Sequence, residues 1–132
     1  MSNPYKTREG GATVTVFVPY DCNNHCPFCI NKKEYADCSG FSLEKILASI
    51  QVMDGITPRC DFVFTGGEPL LRKKDIIRLC EKHRDIAFHA FTNGTLIDQA
   101  FCDELKRVGN FIVSVSIEGF EDANDGRRGT GR

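Results

Sequence analysis

Three cysteines, Cys22, Cys26 and Cys29, sit in the segment DCNNHCPFC at the spacing C-x3-C-x2-C, directly after an apolar run. Three thiolates on one short loop can hold three irons of a four-iron cluster. The fourth iron then has no protein ligand and is an open coordination site for a substrate or cofactor. Ligation by four cysteines suits electron transfer, whereas a missing ligand suits chemistry. The same loop admits a structural zinc site, which needs four closed ligands. Cys38, or His25 inside the loop, could complete that set. A disulfide framework fits poorly, because the cysteines number seven and nothing at the N-terminus reads as a signal peptide. Cys60, Cys80 and Cys102 fall in segments that read as buried strand or helix, where a free thiol packs as a small hydrophobe.

Further polar motifs lie downstream. In GGEP, Gly66 and Gly67 open a backbone path closed to other residues and let a ligand approach, and Glu68 offers a carboxylate to an ammonium group. The same four residues also suit a tight strand-to-helix turn. Asn93 lies in TNG, where Asn-Gly commonly makes a turn. Ser116 and Glu118 flank Ile117 at a strand end and so share a face. A hydroxyl and a carboxylate there could hold ribose hydroxyls or simply solvate the strand end. Phe28, between two of the cysteines, is an aromatic wall for a planar ligand in an otherwise polar loop. Arg127 and Arg128 can grip a carboxylate bidentately, although solvated surface is their ordinary role. His89 lies mid-strand, where a satisfied core histidine is the ordinary reading and a catalytic role the alternative, and His83 ends a helix, where positive charge complements the dipole.

The elements that must position these residues follow from hydrophobic pattern. Strands are expected over Thr13–Val18, Asp61–Thr65, Ile86–Phe91 and Phe111–Ile117. Helices are expected from the Ser42 cap to Gly55, over Lys73–Arg84, and from Asp98 to Val108 with Gly109 closing the last. Strand and helix alternate three times before a fourth strand. That order predicts an α/β fold: a parallel (βα)n partial TIM-like barrel with about three and a half strand–helix units. Right-handed crossovers put every strand C-terminus on one edge, where ligands bind in such folds. The cysteine loop, GGEP, TNG and SIEG all fall there.

Composition sets the outer limits. The 132 residues suffice for one domain, 41% apolar and 27% charged, which is ordinary globular material. No apolar run approaches the ~20 residues needed to span a bilayer. A formal net charge of −1 does not call for nucleic acid. Residues Gly126 to Arg132 read GRRGTGR, a polar, glycine-rich stretch with no helix or strand after it. The chain therefore reads as a fragment of a longer protein, stopping mid-unit.

Taken together, CNNHCPFC, GGEPLL, TNGTL, SIEG and NDGRRGTG, each following a successive strand, resemble the radical S-adenosylmethionine (radical SAM) enzyme superfamily. The resemblance runs from about Val14 to Gly131. It implies that residues 1–132 are the N-terminal, cluster-bearing portion of a core that normally has six strand–helix units. It also implies that Cys22, Cys26 and Cys29 ligate a [4Fe–4S] cluster whose open iron S-adenosylmethionine chelates. Phe28 would meet adenine; Gly66, Gly67 and Glu68 the methionyl ammonium; Asn93, Ser116 and Glu118 the remaining polar groups, ribose among them. Arg128, in Asp125–Gly129 matching D-x-x-R-G, would reach the carboxylate or ribose. No protein side chain is assigned as catalytic. The implied reaction is reductive cleavage to a 5′-deoxyadenosyl radical that abstracts a substrate hydrogen, an oxidoreductase chemistry. The motif wording is nearest the subgroup that modifies peptides and proteins, often with a cysteine-rich (SPASM-like) extension. SIEG in place of the commoner SIDG is a small departure. The expected partners are a peptide or protein substrate and an external one-electron reductant such as flavodoxin or ferredoxin, in a reducing cytoplasm. The alternative is a non-catalytic α/β module holding zinc or an iron–sulfur cluster.

Overall fold

The computed structural model describes residues 11–18, 21–30, 42–56 and 60–130. Cys38 lies outside them. Four strands, β1 (Ala12–Phe17), β2 (Cys60–Thr65), β3 (Phe88–Thr92) and β4 (Phe111–Val115), form one sheet in the order β1-β2-β3-β4. Every neighbouring pair is parallel, with Val14 opposite Phe62, Phe62 opposite Phe88 and Phe88 opposite Phe111. Sequence order equal to spatial order, with helices between, is how a (βα) barrel wall is built.

Helices α1 (Leu43–Asp54), α2 (Lys73–Lys82), α3 (Gln99–Val108) and α4 (Glu121–Arg128) follow the strands in turn. Caps set their bounds. The Ser42 and Asp98 side chains accept the Lys45 and Phe101 N–H groups, and Gly109 ends α3 in the left-handed region at φ 72°. One turn of 3₁₀ helix, Pro69–Arg72, leads into α2. α4 extends the pattern beyond the expected three and a half units, taking in Gly126, Arg127 and Arg128. Glu121 and Asp122 in its first turn and the two arginines in its last complement the helix dipole, which offsets the helix cost of Gly126.

The core lies between one face of the sheet and the helices. Phe62, Phe64, Phe88 and Ala90 on the strands are fully buried against Ile76, Leu79 and Cys80 of α2. Alternate strand residues face away: Phe17 is 62% exposed and Phe91 49% exposed. The near-continuous apolar strands therefore alternate, with helices over one face only. His89 belongs to the open face, half-buried, with Nε2 2.8 Å from Ser114 Oγ, so it is satisfied across strands rather than sealed in the core. Of the three cysteines expected in buried elements, Cys60 and Cys80 are buried and Cys102 is half-buried. Burial pushes the Cys80 thiol up to about 12, which makes it inert.

Asn110 locks the α2–β3 corner. Its buried Nδ2 shares its two hydrogens among the carbonyls of Cys80 (3.1 Å), His83 (2.8 Å) and Ile86 (2.9 Å), fixing the turn that launches β3. Asn110→Ala leaves those carbonyls without that donor and is expected to cost about 2 kcal/mol in denaturant unfolding, with the slope unchanged. A cost within about 0.5 kcal/mol would mean that water replaces the amide.

Candidate functional site

The strand ends converge because consecutive loops bond to one another. Val18 N–H donates to Thr65 O at 2.8 Å, and Glu68 N–H donates to Asp21 O at 2.9 Å, tying the glycine pair to the cysteine loop. Ser116 N–H donates to Thr92 O at 2.9 Å, carrying the β3–β4 ladder past the formal end of β4. Gly66 makes this approach possible. It sits at φ 117°, and a Cβ there would stand 2.6 Å from the Val18 carbonyl oxygen. Gly66→Ala is therefore expected to cost about 3 kcal/mol through backbone strain and a clash that no rotamer relieves. Thermal unfolding reads that cost, and an unchanged midpoint would show that β1 and β2 separate freely.

One cavity of about 200 Å³ gathers the result. The three cysteines and Phe28 enter it from the loop after β1, Gly66 to Glu68 from the turn after β2, and Asn93 from the turn after β3. Ser116 comes from the end of β4 and Arg128 from α4. Of the eleven residues that the resemblance assigns to cluster or cofactor, Glu118 alone does not line it. Glu118 instead pairs with Arg128, accepting from Nε at 3.1 Å and also from Nη2. Its backbone N–H is held by Asn124 Oδ1 at 3.2 Å. A second hollow of about 540 Å³ shares Asn93 and Ser116 and is bounded by Val115, Ile117 and α4.

The cysteine loop is short and tight. Cys29 N–H donates to Cys26 O at 3.1 Å. Cys22 is exposed, Cys26 and Cys29 are half-buried, and His25 is exposed. Partial desolvation raises the Cys22 thiol above its ordinary value. The Asn24 N–H opposes this, while the negative charges of Glu68, Cys29 and Cys26 add to it. A metal binding there must displace protons. Among the described residues, no three His, Cys, Asp or Glu side chains are grouped to hold a single metal ion. A four-iron cube puts its thiolates on different irons and needs no such grouping. The donor set of three soft thiolates around one hollow fits that cluster.

Glu68 is only 2% exposed. Its Oε1 accepts from Leu70 N–H at 2.9 Å and from the Thr92 hydroxyl at 2.7 Å, and its Oε2 accepts from Asn93 N–H at 2.8 Å. A carboxylate has about four acceptor positions, so one remains, on Oε2. The Asn93 side chain is engaged as well: Oδ1 accepts from Thr95 N–H and its hydroxyl, while Nδ2 faces Asn23 Oδ1 and Cys22 Sγ. Phe28, 41% exposed, carries the guanidinium carbons of Arg127 and Arg128 at 5.0 and 5.3 Å from its ring centroid. Asn23, Asn24, Thr92 and Thr95 were not anticipated from sequence. The doubled asparagine between Cys22 and Cys26 and the TNGT run were the available signals.

Four parallel strands with helices between them and a cysteine loop at their C-terminal edge define the wall of a TIM-like partial barrel. Residues 16–132 match the Radical SAM superfamily, and the chain belongs to that superfamily of enzymes. It is 35% identical over 115 residues to Fe-coproporphyrin III synthase of Methanosarcina barkeri, covering 82% of this chain and 27% of that protein. It is 29% identical over 116 residues to the cysteine-type anaerobic sulfatase-maturating enzyme of Clostridium perfringens, covering 74% and 30% respectively. Among solved structures it is similar to native anSMEcpe with bound AdoMet and Cp18Cys peptide. The TM-score is 0.71 and the identity 27%, over 89% of this chain and 34% of that one. The chain spans about a quarter to a third of the length of the curated relatives it matches. Membership implies a [4Fe–4S] cluster and S-adenosylmethionine. Among the described residues no helix is long and apolar enough to cross a membrane.

Proposed function

We propose that this chain is the N-terminal, cluster-bearing portion of the core of a radical SAM enzyme that acts on a peptide or protein. The observation that carries the reading is a cavity at the strand C-termini shared by Cys22, Cys26, Cys29, Gly66, Gly67, Glu68, Ser116 and Arg128. Cys22, Cys26 and Cys29 would ligate the cluster. When bound, cluster and cofactor supply a one-electron cleavage of the sulfonium, giving a 5′-deoxyadenosyl radical that abstracts a substrate hydrogen.

The chain's own residues bind and orient. The turn at Gly66 and Gly67 brings backbone to the cavity, and the remaining acceptor position of Glu68 suits a methionyl ammonium. Arg128 directs Nε and Nη2 to Glu118, which leaves Nη1 for the cofactor carboxylate. Glu118 thus acts by holding Arg128, in place of a direct ribose contact. Ser116, on the boundary of the two hollows, suits a ribose hydroxyl, and Phe28 an adenine face. The peptide reading draws support from anSMEcpe, whose structure holds a bound peptide. A low-potential cluster calls for an external one-electron donor of the flavodoxin or ferredoxin kind and for a reducing, cytoplasmic setting.

Electron paramagnetic resonance of the anaerobically reconstituted, dithionite-reduced chain tests the proposal. A [4Fe–4S]⁺ signal that changes on adding S-adenosylmethionine is expected, and Cys38→Ala is expected to behave identically. Loss of metal in Cys38→Ala, or one zinc per chain without a cluster, would instead indicate a closed four-ligand site.

A further inference from the structure

The cysteine sulfurs are not left to solvent alone. Asn24 approaches two of them: its backbone N–H lies 3.4 Å from Cys22 Sγ and its Nδ2 3.6 Å from Cys26 Sγ. Asn93 Nδ2, from the turn after β3, lies 3.9 Å from Cys22 Sγ. The Asn93 amide cannot be reversed. Its Oδ1 accepts the Thr95 backbone N–H at 3.0 Å and the Thr95 hydroxyl at 2.8 Å, so Nδ2 must point to the sulfur side. Asn23 braces the arrangement, accepting from Asn93 Nδ2 at 2.9 Å and donating to Thr95 Oγ1 at 2.7 Å. Metal-bound thiolate sulfur is an acceptor, so N–H groups held against it are favourably placed.

We propose that Asn24 and Asn93 are positioning residues that set the reduction potential of the cluster by donating N–H···S hydrogen bonds to Cys22 and Cys26. This rests on the cluster reading above. Adding an electron increases the negative charge on the sulfurs, so N–H donors stabilise the reduced form more than the oxidised form and raise the potential. Two side-chain amides on separate loops, after β1 and after β3, do this together with one backbone N–H. The Asn23–Thr95 brace makes the Asn93 donor part of a fixed frame. The orienting atoms are therefore protein atoms, in place before any cofactor arrives.

The test is a redox titration of the reconstituted chain followed by the [4Fe–4S]⁺ signal. Asn24→Ala and Asn93→Ala are each expected to lower the midpoint by about a tenfold change in the oxidised-to-reduced ratio, or about 59 mV for one electron. Asn23→Ala, which removes the brace and keeps both donors, is expected to move it far less. Loaded alanine variants that titrate with the wild type would overturn the proposal. If the variants fail to load, wild-type chain made with side-chain-¹⁵N asparagine decides the matter by pulsed hyperfine spectroscopy. A ¹⁵N coupling to the cluster supports the donors, and its absence overturns them. Wild-type chain that forms no cluster at all would instead overturn the parent reading, and this proposal with it.

Discussion

Cys26→Ala, reconstituted with iron and sulfide under anaerobic conditions, is expected to show no [4Fe–4S]⁺ resonance and to fold as the parent does. Two thiolates, Cys22 and Cys29, cannot retain a cube that needs three protein ligands and a fourth from the cofactor. Cys26 is the middle ligand of the three, and its Sγ also faces the Asn24 amide. The fold is spared because Cys26 lies in a loop and outside the core cluster of buried residues. A surface-type change of this kind shifts stability by about 0.5 kcal/mol or less. Cys60→Ala serves as the control. Its thiol is buried on β2, and its loss is expected to cost some stability and no iron. Iron content with electron paramagnetic resonance checks both variants. A full cluster in Cys26→Ala would remove the loop from the ligand set.

Glu68→Ala carries the largest expected loss of stability, about 4 kcal/mol by denaturant titration. Its carboxylate, 2% exposed, is the acceptor for the Leu70 N–H, the Thr92 hydroxyl and the Asn93 N–H. Each buried donor left unpaired costs about 1–3 kcal/mol, and bonds to an ionised partner lie at the upper end of the range. Three losses, partly relieved by water entering the cavity, give a total near 4. Glu68→Gln separates acceptor from charge. Its amide oxygen can keep Leu70 and Thr92, while its NH₂ faces the Asn93 N–H, so a cost of about 1–2 kcal/mol is expected. If Ala and Gln are equally mild, the carboxylate is not what ties the turns after β2 and β3 together.

Much of this site was legible because parallel topology converts sequence order into location. Once strand and helix alternate, every motif that follows a strand falls on the same edge, so the cysteine loop, GGEP, TNG and SIEG could be brought together without coordinates. The fold class followed from the same alternation, and Ser42, Asp98 and Gly109 marked helix ends through local chemistry. What escaped was side-chain partnership. Glu118 and Ser116 share a face by strand period, yet only Ser116 faces the cavity, because Glu118 is captured by an arginine ten residues on. Asn93 looked like a turn former or a cofactor contact. The turn is there, with Asn93 Oδ1 accepting the Thr95 N–H, but its amide also reaches Asn23 and a cysteine sulfur, 70 and 71 residues away in sequence. The helix α4 escaped because glycine and a run of charges read as a tail, and its stabilisation comes from the dipole and from the stacking of its arginines on Phe28.

That stacking has a bearing on the timing of biogenesis. Phe28 lies against Arg127 and Arg128, and Asn23 against Asn93 and Thr95. During synthesis the cysteine loop leaves the ribosome long before any of these partners exists, and contacts across such sequence separation form slowly. The three thiols therefore pass through a period on an unframed loop. Cluster insertion before Arg128 has emerged would meet a loop that still lacks the arginine part of its frame.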